Sequence, residues 1–252
     1  MAQKYIINSV LKEIYSLPNY EQFKVLDLSC GEGEILETLA KRGCIVEGTH
    51  YRIDDYIINK IPKNIKIHND INLDKTLPFN DETYDLVICT EVLEHLTTHF
   101  IIISEVGRIL KPGGYFIFSS PNIYRLHSRL KFFLTGTHKL IRRRVGWDLK
   151  RDDLYAYHIN PIDFPTLHTL LFQANIRIKK LSFTLFKLKH SYLMLLYPLF
   201  WLTLYLETRF NRKSSEQFRE GEKDLRNWMS HPALLCSEQL LVIGRKKSEI
   251  SN

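Results

Sequence analysis

The sequence predicts an α/β fold: a doubly wound, mostly parallel sheet with helices on both faces. Two patterns predict it. Short apolar runs alternate with segments of helical periodicity between residues 25 and 122. Five polar or flexible residues, Gly31, His50, Asp70, Thr90 and Asn122, fall at the carboxyl ends of five such runs. Open parallel sheets bind their ligands at that edge.

The elements follow in order. In "VLDLSCGEGE" (25–34), Val25, Leu26 and Leu28 read as a buried strand with Asp27 between them. Gly31 and Gly33 permit a tight turn and close approach of backbone to a ligand. "ILETLAKR" (35–42) then places Ile35, Leu36, Leu39 and Ala40 on one helical face. Strand, glycine turn and helix make the general form of a nucleotide site. The spacing is too short for a dinucleotide fingerprint, and no Gly-Lys-Ser/Thr follows to make a phosphate loop. A strand at 44–50, a helix at 52–61 and a strand at 64–70 come next. The loop "LPFNDETY" leads into a strand at 85–91, opened by Asp85, which reads as structural. A helix over 99–111, a turn at "PGG" (112–114) and a strand at 115–122 complete this part. Beyond it lie a basic stretch (123–151), a helix at 161–173 followed by a strand, and the uncharged "SYLMLLYPLFWLTLYL" (191–206). A polar helix (214–229) and a final strand (238–246) end the pattern.

Hydrophobic residues make up 44% of the 252, and charged residues 25%, which are globular values. A net charge of +7 points to an anionic partner. The four cysteines, Cys30, Cys44, Cys89 and Cys236, lack metal-ligand spacing and read as buried thiols in a reducing compartment. No metal site is expected. The first residues carry Lys4, Lys12 and Glu13 and no long apolar core, so no signal peptide is read and a cytoplasmic location is expected.

"VLDLSCGEG", "LPFNDETYDLVICTEVLEHL", "ILKPGGYFIFSSPN", "HINP" (158–161) and "EQLLVIGRK" together resemble the class I S-adenosylmethionine-dependent methyltransferases. The likeness is to the group with the ubiquinone-biosynthesis O-methyltransferases and bacterial polysaccharide-pathway methyltransferases. It implies a seven-stranded Rossmann-like sheet and S-adenosyl-L-methionine as cofactor. By the same resemblance Asp27, Ser29, Gly31 and Gly33 would form the turn at the cofactor's methionine end. Asp70 and Ile71 would meet the adenine, and Thr90 and Glu91 would approach the sulfonium. Ser29 departs from a usual glycine. His50 stands where the family has an acid for the ribose hydroxyls; a neutral imidazole has one acceptor nitrogen, and Asp54 or Asp55 could supply the rest. A binding module with degraded cofactor affinity is the alternative from a different class.

Methyl transfer from a sulfonium needs positioning and, for a hydroxyl acceptor, removal of a proton. Histidine suits the second task. His158 in "YHINP" is favoured as general base because the family often has an acceptor-pocket histidine there. His95 and Glu91 complete the catalytic set, and Glu94 and His95 stay open between capping and substrate contact. Asn122 and His127 are the substrate-binding candidates. "CTEV" (89–92) lacks the Asn/Asp-Pro-Pro-aromatic motif of base N-methylation, so an oxygen acceptor is expected.

The chain reads as a single domain, 1–252, with a basic amphipathic acceptor-side segment (123–160) and a hydrophobic helical insertion (190–229) before the last strand. As a helix, 191–206 would reach about 24 Å, short of a ~30 Å hydrocarbon core, and Pro198 would bend it. Tyr192, Tyr197, Trp201 and Tyr205 are interface-preferring aromatics, and Arg142, Arg143 and Arg144 form a cationic cluster. Peripheral attachment at the inner face of a membrane is expected, with a homodimer contact or an internal core as the alternative. Nucleic acid is disfavoured. The expected acceptor is a small-molecule or lipid-linked compound: a lipid-linked saccharide or surface-polysaccharide precursor, or else a polyprenylated phenol or quinone precursor.

Overall fold

The computed structural model describes residues 4–51, 60–138, 157–185, 192, 195–210 and 216–248. Asp54, Asp55, the arginines at 142–144 and most of the expected 52–61 helix lie outside them. The strands are β1 (Lys24–Asp27), β2 (Ile45–Thr49), β3 (Lys66–His68), β4 (Tyr84–Thr90), β5 (Leu110–Pro121), β6 (Ile176–Ser182) and β7 (Gln239–Lys246). They form one seven-stranded sheet in the order β3-β2-β1-β4-β5-β7-β6. The pairs among β1 to β5 are parallel, while β7 runs antiparallel to both β5 and β6.

Strand alternation divides the core into two layers. Val25, Leu86, Ile88, Ile117, Leu241 and Ile243 face a cluster that includes α1 (Lys4–Tyr15) and α2 (Glu34–Ala40). Val87, Cys89, Phe116, Phe118, Leu240 and Val242 face the opposite cluster, with α3 (His99–Ile109) and α5 (Phe164–Gln173). Between those two helices in the chain comes α4 (Leu126–Thr135). Helices α6 (Tyr197–Phe210), α7 (Glu216–Met229) and α8 (Pro232–Cys236) stand between β6 and β7. Glu13 on α1 is buried and accepts from Lys180 Nζ at 2.8 Å and from Ser182 Oγ at 2.5 Å, tying the N-terminal helix to β6.

Several boundaries differ from the sequence reading, each for a local reason. Helix α3 starts at a Thr98 cap and stops at Ile109, because Leu110 turns extended to pair with Tyr84. Pro112 disfavours helix at Lys111, so the "PGG" segment becomes the irregular start of β5. Helix α5 begins at Phe164, where Asp163 accepts from the Thr166 amide and Pro165 occupies the first turn. Pro198 also lies in a first turn, that of α6, where the missing N–H costs nothing, so it does not interrupt that helix. The four cysteines are free thiols, with Cys44 and Cys89 buried and Cys30 and Cys236 half-buried.

Candidate active site

The glycine loop leaves β1 in a strained path. Ser29 (φ 62°), Gly31 (φ 56°) and Gly33 (φ 76°) all take left-handed backbone, which costs a non-glycine residue such as Ser29 about 1–2 kcal/mol. Thr49, at the end of β2, holds that path open. Its Oγ1 accepts from the Ser29 amide at 2.9 Å and its carbonyl from the Cys30 amide at 3.1 Å. A Cβ built on Gly31 would meet nothing within 4 Å, so the loop borders open space. Asp27, at the loop's root, is 1% exposed. Its Oδ1 accepts no hydrogen bond among the described residues, and burial pushes its carboxyl up to about 8.

His50 is buried beside this loop, with Nε2 at 2.9 Å from the Gly31 carbonyl. The His50 carbonyl accepts from the Ile71 amide at 2.9 Å, which brings Asp70, exposed and left-handed at φ 59°, to the same edge. Thr90 and Glu91 follow at the end of β4. Glu91 (φ 56°) donates its amide to the Ser119 carbonyl, and its carboxylate accepts from Ser119 Oγ, both at 3.0 Å.

Three acid–base groups converge after β4. Glu94, on the short 3₁₀ turn Leu93–His95, is 1% exposed. Its Oε2 accepts from Ser120 Oγ at 3.1 Å, and its Oε1 lies 4.0 Å from the Nε2 atoms of both His95 and His158. The two imidazoles meet edge to face at 4.8 Å. His95 Nδ1 donates to the Tyr157 carbonyl at 3.0 Å, which directs Nε2 toward the carboxyl. Asn160 donates its amide to the Glu94 carbonyl at 3.0 Å and so docks the His158 loop on the β4 turn. Burial, and then the charge of Glu91, push the Glu94 carboxyl up to about 8. The donor atoms of Glu94, His95 and His158 lie within 4.8 Å of one another and could hold a metal ion, a grouping that sequence spacing did not disclose.

The structure thus joins His158 and His95, 63 positions apart, around a buried acid, with Glu91 on the same strand end. Asn122 does something else. Its Nδ2 donates to the Leu234 and Ser237 carbonyls at 2.7 and 3.0 Å, and its Oδ1 accepts from the Tyr124 amide at 2.9 Å. In this structure the amide staples β5 to α8. His127 lies half-buried in the first turn of α4, outside the Glu94 group. Asp85 is structural as expected, accepting from Lys111 Nζ at 2.9 Å and from the Lys24 amide at 2.8 Å. Sequence reasoning missed Thr49, Ser119, Ser120 and Asn160. The "SS" in "FIFSSPN", two hydroxyls ending an apolar strand, was the available signal.

A methyltransferase-domain family model matches residues 26–118. The chain is 30% identical over 171 residues to the ubiquinone biosynthesis O-methyltransferase of Colwellia psychrerythraea, covering 59% of this chain and 70% of that protein. The Haemophilus ducreyi protein of the same name is 30% identical over 166 residues, covering 55% and 70%. Among solved structures, a SAM-dependent methyltransferase from Archaeoglobus fulgidus superposes with a TM-score of 0.56 at 18% identity, over 97% of this chain and 95% of that one. The local geometry suits the cofactor these proteins share. The open space at Gly31 gives room for backbone approach, and the unmet Asp27 acceptor suits an ammonium. Sheet order, glycine loop and relatives agree: the chain belongs to the class I S-adenosylmethionine-dependent methyltransferases, enzymes that draw a methyl group from that cofactor.

Proposed function

We propose that the enzyme methylates a hydroxyl oxygen of an amphiphilic acceptor at a membrane surface, and that this acceptor is a lipid-linked saccharide or similar surface-polysaccharide precursor. The Glu94–His95–His158 group carries the reading, because an oxygen acceptor needs a base and a sulfide leaving group needs no acid. The cofactor supplies an electrophilic methyl on sulfur. With the cofactor bound, His158 would take the proton of the acceptor hydroxyl. Glu94 Oε1, 4.0 Å from His158 Nε2, orients the ring, and Ser120 holds Glu94 in place.

Two features support the membrane part. Phe132, Phe133 and Leu134 on α4 are exposed, Phe133 by 85%, and so are Leu199, Leu202 and Leu206, one i, i+3, i+7 stripe on α6. The helices adjoin, with the Arg129 guanidinium 5.3 Å from the Phe200 ring. Residues 122–147 hold seven Lys or Arg and no acid, a composition suited to anionic headgroups. No helix among the described residues is long and apolar enough to cross a membrane, so the proposed attachment is peripheral, at the inner face. On this reading 123–160 and 190–229 form the acceptor side of one domain.

A second reading has its own support: the relatives are named for ubiquinone biosynthesis, which favours a polyprenylated phenol. Radiolabelled S-adenosylmethionine offered with polyprenyl-linked saccharides and, separately, with a polyprenylated catechol decides between them. Label in the saccharide is expected. Label only in the catechol replaces the saccharide reading, and label in neither overturns both.

A further inference from the structure

We infer that His50 is a hydrogen-bond donor that clamps the glycine loop into its cofactor-binding shape, not a weakened stand-in for the ribose-binding acid. A carbonyl oxygen only accepts. The 2.9 Å contact with the Gly31 carbonyl therefore places the proton on Nε2. The ring cannot easily point elsewhere. His50 is 5% exposed, its amide donates to the His68 carbonyl at 2.9 Å, and its own carbonyl is taken by the Ile71 amide.

The loop needs such a clamp. Ser29 and Gly31 both hold left-handed backbone, and among the described residues a Cβ built on Gly31 would meet nothing within 4 Å beyond its chain neighbours. Among those residues, packing therefore does not set the loop's curvature at that point. Thr49 and His50 bond three consecutive loop residues instead: Thr49 accepts from Ser29 and Cys30, and His50 donates to Gly31. With Nε2–H committed, a neutral imidazole keeps only Nδ1 as an acceptor for a cofactor hydroxyl. A carboxylate at position 50 would offer Gly31 no proton at all and would set one acceptor against another.

The consequence reverses the expectation drawn from the resemblance. Restoring the family's acid should harm cofactor binding rather than improve it. The inference rests on the fold and the cofactor alone and is indifferent to the acceptor's identity.

Calorimetric titration with S-adenosylhomocysteine, alongside unfolding temperatures of the free protein, tests it in His50→Asp, His50→Ala and His50→Gln. The Asp and Ala variants should bind about tenfold more weakly or worse, the scale of a lost buried hydrogen bond. The Gln variant, whose amide nitrogen reaches about as far as Nε2, should stay within about threefold of the parent by the same measure. Binding by His50→Asp as tight as the parent's, or tighter, overturns the clamp and makes the histidine a tolerated replacement. If the Asp variant does not fold, Ala against Gln decides: equal affinities in those two mean that the hydrogen bond to Gly31 does not set the loop.

Discussion

The glycine-loop edge and the proposed acceptor side, across α4 and α6, are held together by different means. Around Gly31 the loop's main chain is held by bonds of 2.9–3.1 Å from the Thr49 hydroxyl, the Thr49 carbonyl and the His50 ring, at the end of one parallel strand. Across α4 and α6 several large apolar side chains face outward, and Leu126, Leu235, Tyr197 and Phe200 belong to one small cluster. A ligand of fixed shape can be met by a backbone fixed before it arrives. An amphiphile is better met by an apolar surface that part of the acceptor's own environment covers. The Glu94 group lies where the two sides meet, anchored to β4 and β5 yet completed by the loop that carries His158.

The largest expected effect tests that junction. His158→Ala should lower turnover by roughly 10²–10⁴-fold, the usual worth of a positioned general base, and leave S-adenosylhomocysteine affinity unchanged. Turnover within threefold of the parent would remove the histidine from the chemistry. A parallel loss of cofactor affinity would show that the two sides are not separable at this residue.

A somewhat smaller effect concerns the acceptor side. Replacing Phe133, Leu199 and Leu202 together with glutamine removes three exposed apolar groups. At roughly 1 kcal/mol for each side chain partly buried in lipid, binding to anionic vesicles should fall by about two orders of magnitude. Unfolding temperature and cofactor affinity should hardly move. Unchanged sedimentation with vesicles would refute the surface as an anchor, and a dimer-to-monomer change on sizing would identify it as a subunit contact.

The same contrast explains what the sequence could disclose. Apolar runs alternating with helical periodicity, and a glycine turn, are local signals, and they were enough for the alternation of strands and helices and for the turn at Gly31 and Gly33. Roles set by distant partners were not local. Asn122 stands at a strand end like a ligand residue, but its amide is used by carbonyls 112 and 115 positions later. Glu94 looked like a turn residue until Ser120 and the 157–160 loop closed over it. His50 could be placed at the end of β2, yet the direction of its ring depends on Gly31, 19 positions earlier. Proline misled in one place because its effect depends on where the helix starts, and α6 starts only at Tyr197.

A further effect is on stability, and it compares the buried acid of the cofactor side with the rest of the molecule. Burial raises Asp27 to about 8, whereas an unfolded aspartate titrates near ~3.9. Between those values the folded chain binds the proton and the unfolded chain does not. Stability from this group is therefore complete below the unfolded pKa, declines as pH rises toward 8, and levels off above. His99 and His231 act oppositely: burial lowers both, so their contribution grows as pH rises through the imidazole range. Only a difference isolates the acid. The unfolding temperature of the parent minus that of Asp27→Asn should fall steadily from about pH 4 to pH 8, at about 2–4 °C for each kcal/mol lost in a chain of this size. Saturating S-adenosylhomocysteine should flatten the slope, because an ammonium placed against Asp27 favours the ionised carboxylate and brings its pKa back down. A difference that is flat without ligand would mean that Asp27 is already ionised in the folded enzyme. The unmet acceptor at the root of the loop would then have a partner other than the cofactor.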